Sequence, residues 1–278
     1  MGIPSDSWPA RKQVHLDVDE VLPHSSINPE AQVTVVLIHG ACVDRNDWDM
    51  VIPYLHDYHL LVPDQICHGE ARHIQPYTTA YAAETIAQLI KQQAHHGMAH
   101  VVGHSLGASV ALRLAAEHPE VVTSMVVSGV GRLPRNRLTP YLPYAVWLNE
   151  RVERAMPKPI TRWLMDGTDV QFGDVSVCTL DFNKEVFCGS LSEQDWPQFE
   201  ARTLIIAATK KGIVPTDDNI QVARKVAEVG QKQNGKTFAV QHKAMRHPWN
   251  RQDPRLFAEV IKAWVAQKEV LPFGFERL

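Results

Sequence analysis

The chain has 278 residues, of which 45% are hydrophobic and 21% charged, and its formal net charge is -3. That balance fits an ordinary globular protein long enough to bury roughly three quarters of its unfolded surface, and it offers no basic field for nucleic acid or an anionic membrane. A small-molecule substrate is the partner to expect, and nothing in these numbers speaks to oligomeric state.

The N-terminal stretch Met1 to Pro9 carries no apolar targeting segment, and no run approaches the roughly 18 apolar residues of a membrane span, so a cytoplasmic protein is expected. Gly2 and Ser5 brush against a myristoylation pattern that Pro4 disfavours. Cys42, Cys67, Cys178 and Cys188 lie far apart with no C-x-x-C spacing and read as reduced, mostly buried thiols.

Short Val/Ile/Leu runs alternate with amphipathic stretches, the pattern of an α/β fold with a mostly parallel central sheet flanked by helices. Strands are predicted at Val33 to Ile38, Leu60 to Pro63, His100 to Val102, Ser124 to Ser128, Thr203 to Ala207 and Thr237 to Gln241. Helical spacing joins Trp48, Val51, Ile52 and Leu55, then Ile86, Leu89 and Ile90, then Val110, Leu112, Leu114 and Ala115. A last helix carries Leu256, Phe257, Val260, Ile261 and Trp264 behind an Asp253 cap and Pro254. Residues 132–199 interrupt the alternation with prolines and with Tyr141, Tyr144, Trp147, Trp163 and Phe172, which predicts a helical cap inserted between a first core part, 1–131, and a second, 200–278. The aromatic residues imply a largely apolar pocket for a medium-sized organic substrate. The arginines of this segment, Arg132, Arg135, Arg137, Arg151 and Arg154, read as a solvated helix face.

Chemistry concentrates in Gly103-His104-Ser105-Leu106-Gly107, placed between a strand and a helix. Two glycines allow the backbone to fold around a strained serine whose hydroxyl projects at the helix N-terminus, where the N–H of Leu106 can meet a developing oxyanion. These features resemble the α/β-hydrolase superfamily. Val35 to Cys42, with the sequence VVLIHGAC, is similar to the family's strand and H-G oxyanion loop, and Ala-Cys followed by Trp48 resembles plant esterases and hydroxynitrile lyases. The resemblance implies Ala41 as the second oxyanion donor, Asp64 to Gly69 as a weakened D-x-P-G-H-G turn, and His247, in Ala244 to Trp249, as the catalytic base. His39 and His68 read as structural loop residues.

The third triad member breaks the pattern, because Lys211 stands where the family places an aspartate ahead of Val214-Pro215. A cation there would lower the pKa of the histidine it should support. Three alternatives follow. A displaced acid could come from Asp217 or Asp218, with Asp217 the named candidate, although both also suit capping of a helix near Asn219. An acid from another strand end is a second route, but Ser128 to Gly131 supplies no carboxylate. In the third there is no acid, and Ser105 and His247 act as a dyad or Lys211 faces substrate. Trp147 and Lys211 are the candidate substrate contacts. No nucleotide-binding glycine motif or metal-ligand motif is evident, so no cofactor and no metal are expected.

The reading that uses every motif is a serine hydrolase acting on an ester, thioester or lactone through a Ser105 acyl-enzyme. A non-hydrolytic lyase, cyclase or isomerase on the same scaffold is the alternative that Lys211 keeps open. A catalytically silent ligand-binding protein is the third.

Overall fold

The computed structural model describes residues 14, 16, 17, 20–131, 136–174, 178–189, 196–213, 216–268 and 271–278. The Met1 to Pro9 stretch, Arg132, Arg135, the Val214-Pro215 pair and the side chain of Cys188 lie outside the described residues.

Eight strands form one sheet: β1 (His24–Ile27), β2 (Thr34–Ile38), β3 (His59–Pro63), β4 (Ala99–His104), β5 (Val122–Ser128), β6 (Arg202–Ala208), β7 (Phe238–His242) and β8 (Phe275–Arg277). Their order is β1-β3-β2-β4-β5-β6-β7-β8, with parallel pairing inside and an antiparallel strand at each edge. The six inner strands are the six predicted from sequence. β1 and β8 carry no apolar run to announce them, because an edge strand is covered on fewer sides and its residues here are half-buried or exposed.

Both faces of the inner sheet are buried, which is why β2 and β3 read as continuous apolar runs rather than alternating ones. On one face Val36 and Ile38 pack with α1 (Thr79–Gln93) and α2 (Leu106–Glu117); on the other, Val35 and Leu37 pack with Trp48, Phe257 and Trp264. The helix predicted around Trp48 to Leu55 is instead two single 3-10 turns, Arg45–Trp48 and Ile52–Tyr54. Pro53 removes a donor and crowds the preceding turn, so the apolar spacing is met without a continuous helix.

Between β5 and β6 the chain forms α3 (Leu142–Ala155), α4 (Lys158–Leu164) and α5 (Leu180–Lys184). Tyr141, Tyr144 and Trp163, expected to line an apolar pocket, are 66%, 46% and 70% exposed. Arg154 is not a solvated charge either: it pairs with the buried Glu150 at 2.6 Å and donates to the Gly173 carbonyl at 2.6 Å. After β6 come α6 (Ile220–Gln231), α7 (Trp249–Gln252) and α8 (Pro254–Val265). Asp253 caps α8 as expected, accepting the Leu256 N–H at 2.9 Å.

Cys42 and Cys178 form a disulfide with Cα atoms 5.3 Å apart, so two of the four expected thiols are oxidised, while Cys67 is free and buried. The pairing joins positions 136 residues apart, which spacing alone cannot reveal.

Candidate active site

β4 runs directly into α2, and Ser105 stands at the joint with φ 56° and ψ -119°. Such a backbone costs a non-glycine residue on the order of 1–3 kcal/mol and persists only where its surroundings enforce it. Here the Ser105 N–H donates to the Ser128 carbonyl at 2.8 Å, and the Ser105 carbonyl accepts from Ala108 N–H at 3.0 Å. A β-carbon on Gly103 would strike the Gly107 carbonyl, and one on Gly107 the carbonyls of Ile38 and His39, so both glycines are needed for the helix to approach so closely.

The loop after β2 passes beside the serine: a β-carbon on Gly40 would lie 3.2 Å from Ser105 Cβ. Ala41 follows it, and Leu106 on the other side opens α2, where the first N–H groups have no partner within the helix. Two buried rings hold this loop. His39 Nδ1–H donates to the Gly40 carbonyl at 2.7 Å and its Nε2 accepts the Gln65 N–H at 3.0 Å. His68 Nδ1–H donates to the Ile66 carbonyl at 2.9 Å and its Nε2 accepts the Cys42 N–H at 3.2 Å. Burial pushes His39 down to about 4 and His68 to about 3, so both stay neutral and serve as two-ended backbone braces.

His247 lies in the loop after β7, its N–H donating to the Thr216 carbonyl at 2.8 Å. Its ring lies 4.9 Å, centre to centre, from that of His104, the residue before Ser105. It also rests against Gly129 at φ 70°, where a β-carbon would come within 2.6 Å of Cε1. Gly129 was read from sequence only as a place without a carboxylate, and its role in seating the ring was missed.

The carboxylate that meets His247 belongs to Asp218: Nδ1–H donates to Oδ1 at 2.6 Å. Asp217, the candidate named from sequence, is exposed, and so is Lys211. The path of the chain accounts for the difference. The chain leaves the sheet after Ala208 and meets the end of β6 again at Asp218, where the Asp218 N–H donates to the Ala208 carbonyl and Asp218 Oδ2 accepts the Ala208 N–H, each at 2.8 Å. Asp218 thus occupies the strand end from ten residues downstream. The helix does not need it as a cap, because Asn219 accepts from Gln221 N–H at 2.9 Å and Val222 N–H at 3.3 Å. Asn219, an equally good cap placed directly before the helix, is the sequence signal that frees Asp218 from a plain capping role.

Burial alone would lower the His247 pKa, but the Asp218 charge and hydrogen bond raise it above its ordinary 6.5, with Asp47 acting in the same direction. His104 is held well below 6.5 by burial and by its neighbour His247. Burial pushes Asp47 up to about 6; it accepts from Asn250 Nδ2 at 2.8 Å and so ties the turn after the Ala41 loop to the chain just beyond His247. Trp147, the other predicted substrate contact, is half-buried on α3 with the Arg151 guanidinium 3.6 Å from its ring centre. No helix among the described residues is long and apolar enough to cross a membrane.

Comparison with known proteins agrees with this architecture. An AB hydrolase superfamily protein of Gibberella zeae is 38% identical over 255 residues, covering 91% of this chain and 86% of that one. A pimeloyl-[acyl-carrier protein] methyl ester esterase of Neisseria meningitidis is 37% identical over 101 residues, 36% of this chain and 37% of that one. The solved structure of a thermophilic esterase from Thermogutta terrifontis superposes with a TM-score of 0.63 over 88% of this chain and 93% of that one at 17% identity, a likeness of fold. Residues 35–260 match the profile of the alpha/beta hydrolase family, and this chain belongs to that family.

Proposed function

We propose that the protein is a serine hydrolase that cleaves an ester, thioester or lactone through an acyl-enzyme on Ser105, with His247 as base and Asp218 as its acid. The observation that carries the reading is the 2.6 Å bond from His247 Nδ1–H to Asp218 beside the strained Ser105 elbow. Because Nδ1 is committed as a donor to a carboxylate, the basic nitrogen of the neutral ring is Nε2. In the first step Ser105 Oγ attacks the carbonyl carbon while Nε2 takes the hydroxyl proton, and the N–H groups of Ala41 and Leu106 receive the oxyanion. Collapse of the tetrahedral intermediate expels the leaving group, which takes the proton from Nε2. A water then gives a proton to Nε2, attacks the acyl carbon and releases the acid, and Ser105 regains its proton. Asp218 holds the tautomer and stabilises the imidazolium throughout.

The lyase or cyclase reading rests on Lys211 at the acid position and on the likeness to hydroxynitrile lyases; with Lys211 exposed and Asp218 on His247, the first of these supports falls away and hydrolysis gains. The helices between β5 and β6 serve in this reading as the cap over the site. The exposed tyrosines and Trp163 no longer argue for an apolar substrate, so the bond class is as far as the proposal goes.

The test is labelling by a fluorophosphonate probe together with turnover of p-nitrophenyl esters of increasing chain length. Wild type should be labelled on Ser105 and turn over at least the short esters, and Ser105→Ala and His247→Ala should lower kcat by up to about a millionfold. A folded wild type that is neither labelled nor active would overturn the reading.

A further inference from the structure

Arg246, the residue before His247, is only 3% exposed. A buried guanidinium is kept where its charge and its donors are met. Its Nε donates to Asp166 Oδ2 at 2.5 Å, its Nη1 donates to Thr216 Oγ1 at 3.2 Å, and its backbone N–H donates to Gln252 Oε1 at 2.8 Å. The chain at Gly212 lies directly on the guanidinium, so that a β-carbon there would collide with it. Asp166 follows α4 in the segment between β5 and β6, and its Oδ2 also accepts from Lys210 Nζ at 2.9 Å.

These contacts describe a post under a span. The chain leaves β6 at Ala208 and comes back at Asp218, and on the way Lys210 N–H donates to the Met245 carbonyl at 2.9 Å and the Thr216 carbonyl accepts the His247 N–H at 2.8 Å, which ties both residues to the His247 loop. Arg246 fills the space between, touching the span at Gly212 and Thr216, and its charge is matched by Asp166, which reaches in from the segment between β5 and β6. Gly212 and Thr216, both on the way to the acid, therefore rest on this side chain.

Resting on the reading of Asp218 as the acid, we propose that Arg246 is a positioning residue that holds Gly212 and Thr216, on the way from β6 to Asp218, so that Asp218 meets His247, and that Asp166 couples this support to the segment between β5 and β6. A planar fork suits the role: a lysine would keep the charge but could not reach Asp166 and Thr216 together.

The experiment measures kcat, KM, the pH profile of kcat/KM and Tm with p-nitrophenyl butyrate for wild type, Arg246→Lys, Asp166→Asn, Asp218→Asn and the double variant Arg246→Lys/Asp218→Asn. Arg246→Lys should lower kcat about ten- to a hundredfold with KM within about threefold, since a misplaced catalytic pair loses rate more than binding. The groups facing His247 are Asp218, His104 and Asp47, and this substitution changes none of them and retains the positive charge at 246. A shift of the acid limb to lower pH therefore reports a loosened Asp218. In the Asp218→Asn background Arg246→Lys should cost less than about twofold, because its effect runs through the carboxylate already removed.

Asp166→Asn, which changes the partly exposed partner and leaves the buried guanidinium in place, should repeat the effect at about threefold and carries the test if Arg246→Lys does not fold. Equal cost of Arg246→Lys with and without Asp218, or a folded Arg246→Lys at the wild-type rate, would overturn the inference while leaving the triad standing. An Asp218→Asn enzyme as fast as wild type would overturn both.

Discussion

The two loops that flank Ser105 are held by different physics. On the side of Ala41, the loop after β2 is braced by neutral rings, His39 and His68, and joined to the segment between β5 and β6 by the Cys42–Cys178 disulfide and by the Gly173 N–H donating to the Cys42 carbonyl at 3.1 Å. On the acid side, the loops after β6 and β7 are joined by charges: Asp218 on His247, and Arg246 and Lys210 on Asp166. The division follows the chemistry each loop would perform. A donor of backbone N–H groups needs a fixed frame, whereas a base that becomes a cation needs a carboxylate fixed beside it.

The division can be tested one side at a time. The largest effect on stability is expected on the side of Ala41: Cys178→Ser should lower stability by about 2 to 4 kcal/mol, read as a fall in the denaturant midpoint that dithiothreitol reproduces in wild type. An unchanged midpoint would mean that the neutral braces alone hold that loop. On the acid side, Gly129→Ala should push the His247 ring aside and lower kcat about tenfold with the fold intact; a wild-type rate would show that the ring has room to spare.

Acid should affect the two sides differently. His39 and His68 have folded pKa values of about 4 and 3, below the 6.5 of an unfolded histidine, so the unfolded chain binds protons that the folded chain refuses. Their contribution is complete above about 6.5 and is lost as pH falls through about 4 and then 3, at about 1.4 kcal/mol per histidine per pH unit while only the unfolded form is protonated. Activity should fail earlier. The pKa of His247 is raised above 6.5, and the base must be neutral, so the acid limb of kcat/KM should lie above 6.5 while Tm is still near its plateau. Coincident loss of activity and Tm would contradict this separation. The smallest effect is expected for Lys211→Ala, a change of less than about twofold in kcat/KM, as suits an exposed side chain.

Legibility in the sequence followed locality. The six inner strands, the Ser105 elbow and the His247 loop were readable because each is a short run whose residue types fit one local geometry, such as a glycine two places either side of a serine between strand and helix. The edge strands were not, because burial writes the pattern and they are little buried. Asp217 was favoured over Asp218 because adjacent carboxylates in a loop cannot be ordered by spacing; the order came from Asp218 pairing with Ala208 at the end of β6. The disulfide and the Arg246–Asp166 pair depend on where the segment between β5 and β6 sits on the core, which no local signal carries.

The central claim, that Asp218 supports His247 from a displaced position, is tested most directly by comparing Asp218→Asn with Asp217→Asn on one ester substrate. Asp218→Asn should lower kcat by about ten-thousandfold with unchanged Tm, and Asp217→Asn should stay within about twofold of wild type. Equal activity of the two variants, or the larger loss in Asp217→Asn, would contradict it.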